Sequence, residues 1–224
     1  MTKRKLLIGV LSKFLAGLFL LGLLLFVPAG TLRFPGAWRL IAILFLPMLI
    51  LGAVLFFRAP DLLEKRLNSR EKSGVQKTVV ALTALEFIAC FVLAGLDFRF
   101  GWSHLPVWLV AAACVLFVGC YGLYAEVMRE NAYLSRTVEV QEGQKVISSG
   151  LYGIVRHPMY FSVVLLFWAM PLVLGSVPAL LVMLPFPALL VRRIKDEEAI
   201  LEEGLPGYRE YEQKVRFRLI PFIW

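Results

Sequence analysis

Residues 159–191 read MYFSVVLLFWAMPLVLGSVPALLVMLPFPALLV, an apolar run without one charged side chain. A helix crosses a bilayer with roughly 20 apolar residues, so this run is too long for a single crossing. Pro171, Gly175 and Pro178 interrupt it near its middle. Proline breaks a helix interior, and Pro and Gly close together mark a turn. The spacing predicts a tight helical hairpin with arms near 160–174 and 177–191.

Toward the N-terminus, four more runs are long enough to span: about Phe14–Leu32, Trp38–Phe57, Thr78–Leu96 and Leu105–Ala125. The expected fold is an all-α integral membrane protein of five to six transmembrane helices, with a C-terminal helical hairpin and a cytoplasmic segment that carries the chemistry. Two regions are expected: four N-terminal transmembrane helices over 1–125, and a functional C-terminal region over 126–224.

Composition agrees. Of 224 residues, 59% are hydrophobic, and the mean hydropathy is +0.76; a soluble domain is closer to about half apolar. The net charge of +8 does not imply nucleic acid, because Lys and Arg cluster between apolar runs, where they meet anionic headgroups and set orientation. Cys90, Cys114 and Cys120 sit inside apolar runs with no CxxC or Cys/His spacing. They read as small packing residues, with neither a disulfide nor a metal role. The start, Met1–Lys5 followed by Leu6–Val27, is longer than a signal-peptide core and lacks a small-residue cleavage pattern, so it is expected to stay as a span.

The basic residues orient the chain. With a cytoplasmic N-terminus and an intact hairpin, 21 of the 24 Lys and Arg fall inside, among them Arg58, Lys65, Arg66, Arg70, Lys72, Lys77, Arg129, Arg136, Lys145 and Arg156. Arg33, Arg39 and Arg99 fall outside. This positive-inside bias predicts an even number of crossings and both termini in the cytoplasm. The inside segment 126–158 is the longest; its stretch Thr137–Ile147 has β-like character. After Arg192 a charged helix is expected to leave the membrane, turn at Gly204-Leu-Pro-Gly207 and re-form as a short amphipathic helix around Tyr208–Val215.

Two clusters flank the hairpin. The first is Gly150-Leu-Tyr152-Gly-Ile-Val-Arg156-His157-Pro158-Met159-Tyr160, a polar and aromatic elbow. Pro158 disfavours helix at His157 and is suited to start the next helix, whose free N–H groups attract an anion. As plain membrane anatomy, Arg156 and His157 would be interfacial anchors and Tyr160 part of an aromatic belt. The second cluster is Arg192-Arg193-Ile-Lys-Asp196-Glu197-Glu198-Ala-Ile-Leu201. Arg193 and Glu197, four apart, share a helix face and can pair; beside a pocket they could hold a carboxylate and an ammonium. Otherwise they are snorkelling charges that end a span. Folding the hairpin brings both clusters to one face. Glu86 lies near mid-bilayer, as a functional carboxylate or a neutral packing residue. His104, between Trp102 and Trp108, reads as interfacial, and Asn131 faces the cytoplasmic cluster.

The run Gly150-x-Tyr152-x-x-x-Arg156-His157-Pro158-x-Tyr160, followed by Arg193-x-x-x-Glu197-Glu198-x-x-Leu201, resembles the isoprenylcysteine carboxyl methyltransferase family. Tyr208-x-x-Tyr211-x-x-x-Val215 and Arg218-Leu-Ile-Pro221 match as well, so the likeness covers about residues 126–224. Pro60-x-Leu-Leu-Glu64 resembles a loop of bacterial members, and with it a bacterial inner membrane is the implied location. The resemblance implies S-adenosylmethionine as cofactor, with Gln144, Val146, Ile147, Tyr152, His157, Pro158, Met159, Tyr160 and Glu197 lining its pocket. It implies that Arg193 faces the acceptor carboxylate of a lipid or lipidated small molecule, with no metal. Such a carboxylate is ionised at neutral pH and needs no general base. Phospholipid N-methyltransferases are similar in the same elements; an amine acceptor must lose a proton, and Glu86 would then matter as a base. NADPH-dependent sterol reductases also end in related elements, although they are much longer than 224 residues. A membrane scaffold without a cofactor is the non-enzymatic reading.

Overall fold

The computed structural model describes residues 3–67, 74–135 and 137–224. Arg70, Lys72 and Arg136 of the charge pattern lie outside the described residues. Regular structure among the described residues is entirely helical. It comprises α1 (Lys3–Ala29), α2 (Pro35–Arg58), α3 (Pro60–Leu67), α4 (Gly74–Phe100), α5 (Val107–Glu130), a 3₁₀ turn (Gly150–Gly153), α6 (Pro158–Leu174), α7 (Val177–Met183), α8 (Phe186–Gly204) and α9 (Tyr208–Lys214).

Five stretches are long and apolar enough to cross a membrane: α1, α2, α4, α5 and the nearly continuous α7–α8. The chain is thus a multi-pass membrane protein by length and composition. Each long helix continues past its apolar run at one end at least; α4 does so at both, extending to Gly74 and to Phe100. Within the apolar core a lipid environment demands unbroken helix, since every backbone group in the bilayer needs an internal partner and helix is the local way to supply it. Phe19, Phe57, Trp108 and Val115 are well over half exposed, a surface suited to acyl chains and not to water.

The hairpin forms where the breakers place it. Gly175 ends α6 in the left-handed region at φ 84°, a conformation that side chains with a Cβ resist. Ser176 then caps α7, its hydroxyl accepting the Ala179 N–H at 3.2 Å. The tip is pinned by Asp97, buried at the end of α4, which accepts from the N–H and hydroxyl of Ser103, both at 2.7 Å. The Ser103 oxygen in turn accepts the Val177 N–H at 3.0 Å. Further down, Pro187 has no N–H for the Met183 carbonyl four residues earlier. The Trp168 indole donates to that carbonyl instead, at 3.1 Å.

Two expectations are corrected. The Pro60–Glu64 segment is not a loop but the start of α3, with Pro60 at the first helical position and Asp61 in the first turn, both favourable there. The Thr137–Ile147 stretch forms no strand. A strand needs a partner ladder; here side chains hold the chain, as Tyr133 donates to the Gly143 carbonyl at 3.0 Å and Gln144 accepts the Gln141 N–H at 2.9 Å.

Candidate functional site

At one end of the bundle, the end of α5, residues 131–135 and 137–147, the start of α6, the end of α8 and α9 line a partly open cavity of about 840 Å³, mouth included. Gly150 starts its elbow at φ 54°, with the Glu130 carboxylate packed where a Cβ would stand. That carboxylate accepts the Leu151 N–H at 3.0 Å. The following 3₁₀ turn aims Tyr152 inward. Its hydroxyl accepts from Asn131 Nδ2 at 3.0 Å, and its carbonyl accepts the Tyr211 hydroxyl at 2.7 Å. Burial pushes the Tyr152 phenol up to about 12, against the hydrogen bond from Asn131; burial raises Tyr208 and Tyr211 as well.

Pro158 starts α6 as expected, but four of the N–H groups around it are already engaged. Those of Arg156 and His157 donate to the carbonyls of Phe217 and Arg218 at 2.9 and 2.8 Å, and those of Tyr160 and Phe161 donate to His157. Arg156 and His157 are also not interfacial anchors, being only 7% and 6% exposed. Both meet Glu198 Oε1, Arg156 Nε at 2.8 Å and His157 Nε2 at 3.1 Å, while Arg218 Nε reaches Glu198 Oε2 at 2.6 Å. Burial pushes the Glu198 carboxyl up, but the hydrogen bonds from His157, Arg156 and Arg218 outweigh it and hold the group down at about 2. Residues 192–204 of α8 carry these charges beyond the apolar run that ends at Val191.

One helical position earlier, Glu197 enters the cavity. Tyr160 donates to Glu197 Oε2 at 2.6 Å and accepts from Arg193 Nε at 2.9 Å. The sequence pairs Arg193 with Glu197 directly; the structure puts the phenol of α6 between them. Of the expected site residues, Gln144, Val146, Ile147, Tyr152, His157, Met159, Tyr160, Arg193 and Glu197 line this one cavity, together with Asn131. Pro158 is buried behind it and is not in the lining. Glu86 is also outside the lining, on α4, with Oε2 buried and without a hydrogen-bond partner. His104 is exposed at the far end.

Several contributors escape a reading of the sequence. Tyr133, Thr137, Glu139, Leu205, Tyr208 and Tyr211 also line the wall. From α3, Arg66 lies over the Tyr124 ring at 5.3 Å and donates to the Ser135 carbonyl at 3.4 Å. From α4, the fully buried Gln76 donates to Asp196 Oδ2 at 2.7 Å and to the Arg193 carbonyl at 3.2 Å. Among the described residues, no group of three His, Cys, Asp or Glu side chains could hold a metal ion.

Fold and site together define a polytopic helical membrane protein with a polar, tyrosine-rich cavity at one end of its bundle. The family model for phospholipid methyltransferase matches residues 108–205, a span that holds α5, the elbow, the hairpin and most of the cavity. This part of the chain is therefore similar to phospholipid methyltransferases. The chain is also similar to Delta(14)-sterol reductases. It is 33% identical to one of Mus musculus over 39% of this chain and 22% of that protein. It is 26% identical to one of Methylotuvimicrobium alcaliphilum over 54% of this chain and 32% of that protein, and 25% identical to one of Schizosaccharomyces pombe over 51% and 30%. The matched part of the chain thus spans about a fifth to a third of the length of these relatives.

Proposed function

We propose that the protein transfers a methyl group from S-adenosylmethionine to a lipid-like acceptor at the membrane surface, with residues 126–224 as its catalytic region and this cavity on the cytoplasmic side. The observation that carries this reading is the Arg193–Tyr160–Glu197 chain inside the cavity, within the phospholipid methyltransferase match. S-adenosylmethionine, when bound, supplies an electrophilic methyl on a sulfonium. Glu197 suits its ammonium, and Tyr152, His157, Met159, Tyr160, Val146 and Ile147 offer aromatic and apolar walls; Gln144 braces the loop that carries the last two. Arg193 presents a guanidinium to an anionic acceptor. The Tyr160 hydroxyl stands between acid and base, donating to Glu197 and accepting from Arg193. The chain's task is to position the reactants and exclude water, which supplies much of the acceleration in a displacement of this kind.

A carboxylate acceptor is the form that Arg193 favours. It is the chemistry of the isoprenylcysteine carboxyl methyltransferase likeness, and it needs no base. An amine acceptor, as in phospholipid N-methylation, needs one; Glu86, outside the lining, is a poor choice for that role.

The sterol-reductase likeness favours a second reading, in which the cavity takes NADPH. The pyrophosphate and 2′-phosphate of that cofactor call for several cations or a helix N-terminus. The lining sets Glu139 and Glu197 against Lys145 and Arg193, with Arg156 engaged by Glu198. That balance suits a small zwitterionic cofactor better than a polyanion. Titration of the purified protein in detergent with each cofactor separates the two readings. Saturable S-adenosylmethionine binding, lost in Glu197→Ala, is expected; binding of NADPH alone would overturn methyl transfer. Labelled methyl transfer to membrane lipids, with base-labile ester counted against stable N-methyl product, then identifies the acceptor.

A further inference from the structure

Gln76 stands at the start of α4, outside the matched region 108–205, and is fully buried. Its amide donates twice to α8: to Asp196 Oδ2 at 2.7 Å and to the Arg193 carbonyl at 3.2 Å. Both acceptors belong to the helical turn that carries Arg193. Asp196 is three residues past Arg193, the separation at which an acid and a guanidinium on one helix attract each other. Arg193 Nε nonetheless points across to the Tyr160 hydroxyl at 2.9 Å. Asp196 is held on the α4 side and Arg193 on the α6 side of the same helix.

We propose that Gln76 is a positioning residue for the anion-binding arginine of this site: by engaging Asp196 it takes up one rival acceptor and keeps the Arg193 guanidinium on the Tyr160 side, in the cavity lining. This rests on the reading of Arg193 given above. The N-terminal half of the chain then sets acceptor affinity through α4, without a side chain of its own in the cavity. Loss of the Gln76 amide frees Asp196 to draw Arg193 out of line, and neutralising Asp196 restores the aim.

The test uses the full chain in detergent with palmitate as the carboxylate probe and S-adenosylmethionine as the cofactor probe. Gln76→Leu is expected to weaken palmitate binding about tenfold, the scale of one hydrogen bond to a charged group, while S-adenosylmethionine affinity stays within about twofold. Adding Asp196→Asn to Gln76→Leu is expected to recover palmitate binding, a coupling that a purely structural role of Gln76 does not produce. Gln76→Asn, which keeps an amide but falls one methylene short, is expected to repeat the loss and serves if the leucine variant does not fold. A readout independent of any acceptor is the Arg193 Nε–H resonance in protein labelled with ¹⁵N-arginine, assigned by its absence in Arg193→Lys. It should shift in Gln76→Leu and return in the double variant. An unchanged resonance and unchanged palmitate binding in Gln76→Leu, or no recovery with Asp196→Asn, overturns the proposal. Palmitate binding equal in wild type and Arg193→Ala instead overturns the anion role of Arg193, while the resonance still decides whether Gln76 aims that side chain.

Discussion

Glu197 and Glu198 are adjacent on α8 but serve separate networks, Glu197 accepting from Tyr160 in the cavity and Glu198 binding Arg156, His157 and Arg218 behind it. A turn of about 100° per helical residue makes this division inevitable. Glu198 is 2% exposed, and its loss leaves the buried Arg156 without its main counter-charge. Removing one partner of such a pair costs about 3–5 kcal/mol. Glu198→Ala is therefore expected to lower the unfolding temperature in detergent steeply, whereas Glu197→Ala should lower it little and abolish cofactor binding. The pH dependence has a definite sign. Since the folded carboxyl is held at about 2, below its ordinary 4.5, its stabilisation is complete above pH 4.5 and is lost as pH falls toward 2. A thermal-melt series across that window should slope in wild type and flatten in Glu198→Gln.

Tyr160→Phe keeps the ring that packs beside His157 at a centroid distance of 5.6 Å and removes only the hydroxyl between Arg193 and Glu197. Hydrogen bonds to charged groups contribute about 1.5–3 kcal/mol each. The expected result is a tenfold or greater loss of S-adenosylmethionine or acceptor affinity, together with a lower melting temperature because both lost bonds are made by the buried Tyr160 in the folded protein. Calorimetric titration of both ligands checks it, and equal affinities in the two proteins would contradict the bridging role of the phenol.

How far the sequence determines these features depends on their range. The hairpin is readable because Pro171, Gly175 and Pro178 act on their own backbone. The signals of α3 are present too, in Pro60 followed by Asp61, but a short charged segment between spans reads as a loop. Val138 and Val140 alternate with polar residues as in a strand, yet alternation says nothing about whether a partner strand exists. The Glu198 network joins residues 20 and 42 positions apart, which local spacing cannot reveal. Gln76 is invisible for the same reason, because a glutamine at the start of a span looks like ordinary interface.

Gly150 and Gly143 both have positive φ, 54° and 70°, but their surroundings differ. A Cβ at Gly150 would collide with the Glu130 carboxylate, while at Gly143 it meets open space. Gly143→Ala is expected to cost about 1 kcal/mol, the backbone term alone. Gly150→Ala must in addition displace Glu130 from the Leu151 N–H and tilt Tyr152, so it should cost about 2–3 kcal/mol and weaken cofactor binding. Melting curves with and without S-adenosylmethionine distinguish the two substitutions, since only the second should reduce the ligand-induced shift.

Trp168→Phe tests the hairpin itself. Pro187 leaves the Met183 carbonyl without its helical donor, and in a bilayer no water replaces it. The Trp168 indole is the donor that joins the two arms at that point. Hydrogen bonds between membrane helices average only about 0.6 kcal/mol, since the separated helices also find partners. The carbonyl freed by Pro187 has fewer alternatives than a side-chain acceptor, so the cost should lie at the upper end, about 1–2 kcal/mol. Combining Trp168→Phe with Pro187→Ala restores an N–H at position 187, which can bond the Met183 carbonyl along the helix. The double variant is therefore expected to be more stable than Trp168→Phe alone, measured by steric trapping or by unfolding in mixed micelles. If Pro187→Ala stabilises the wild-type chain and the Trp168→Phe variant equally, the indole is packing against the other arm and not satisfying its backbone.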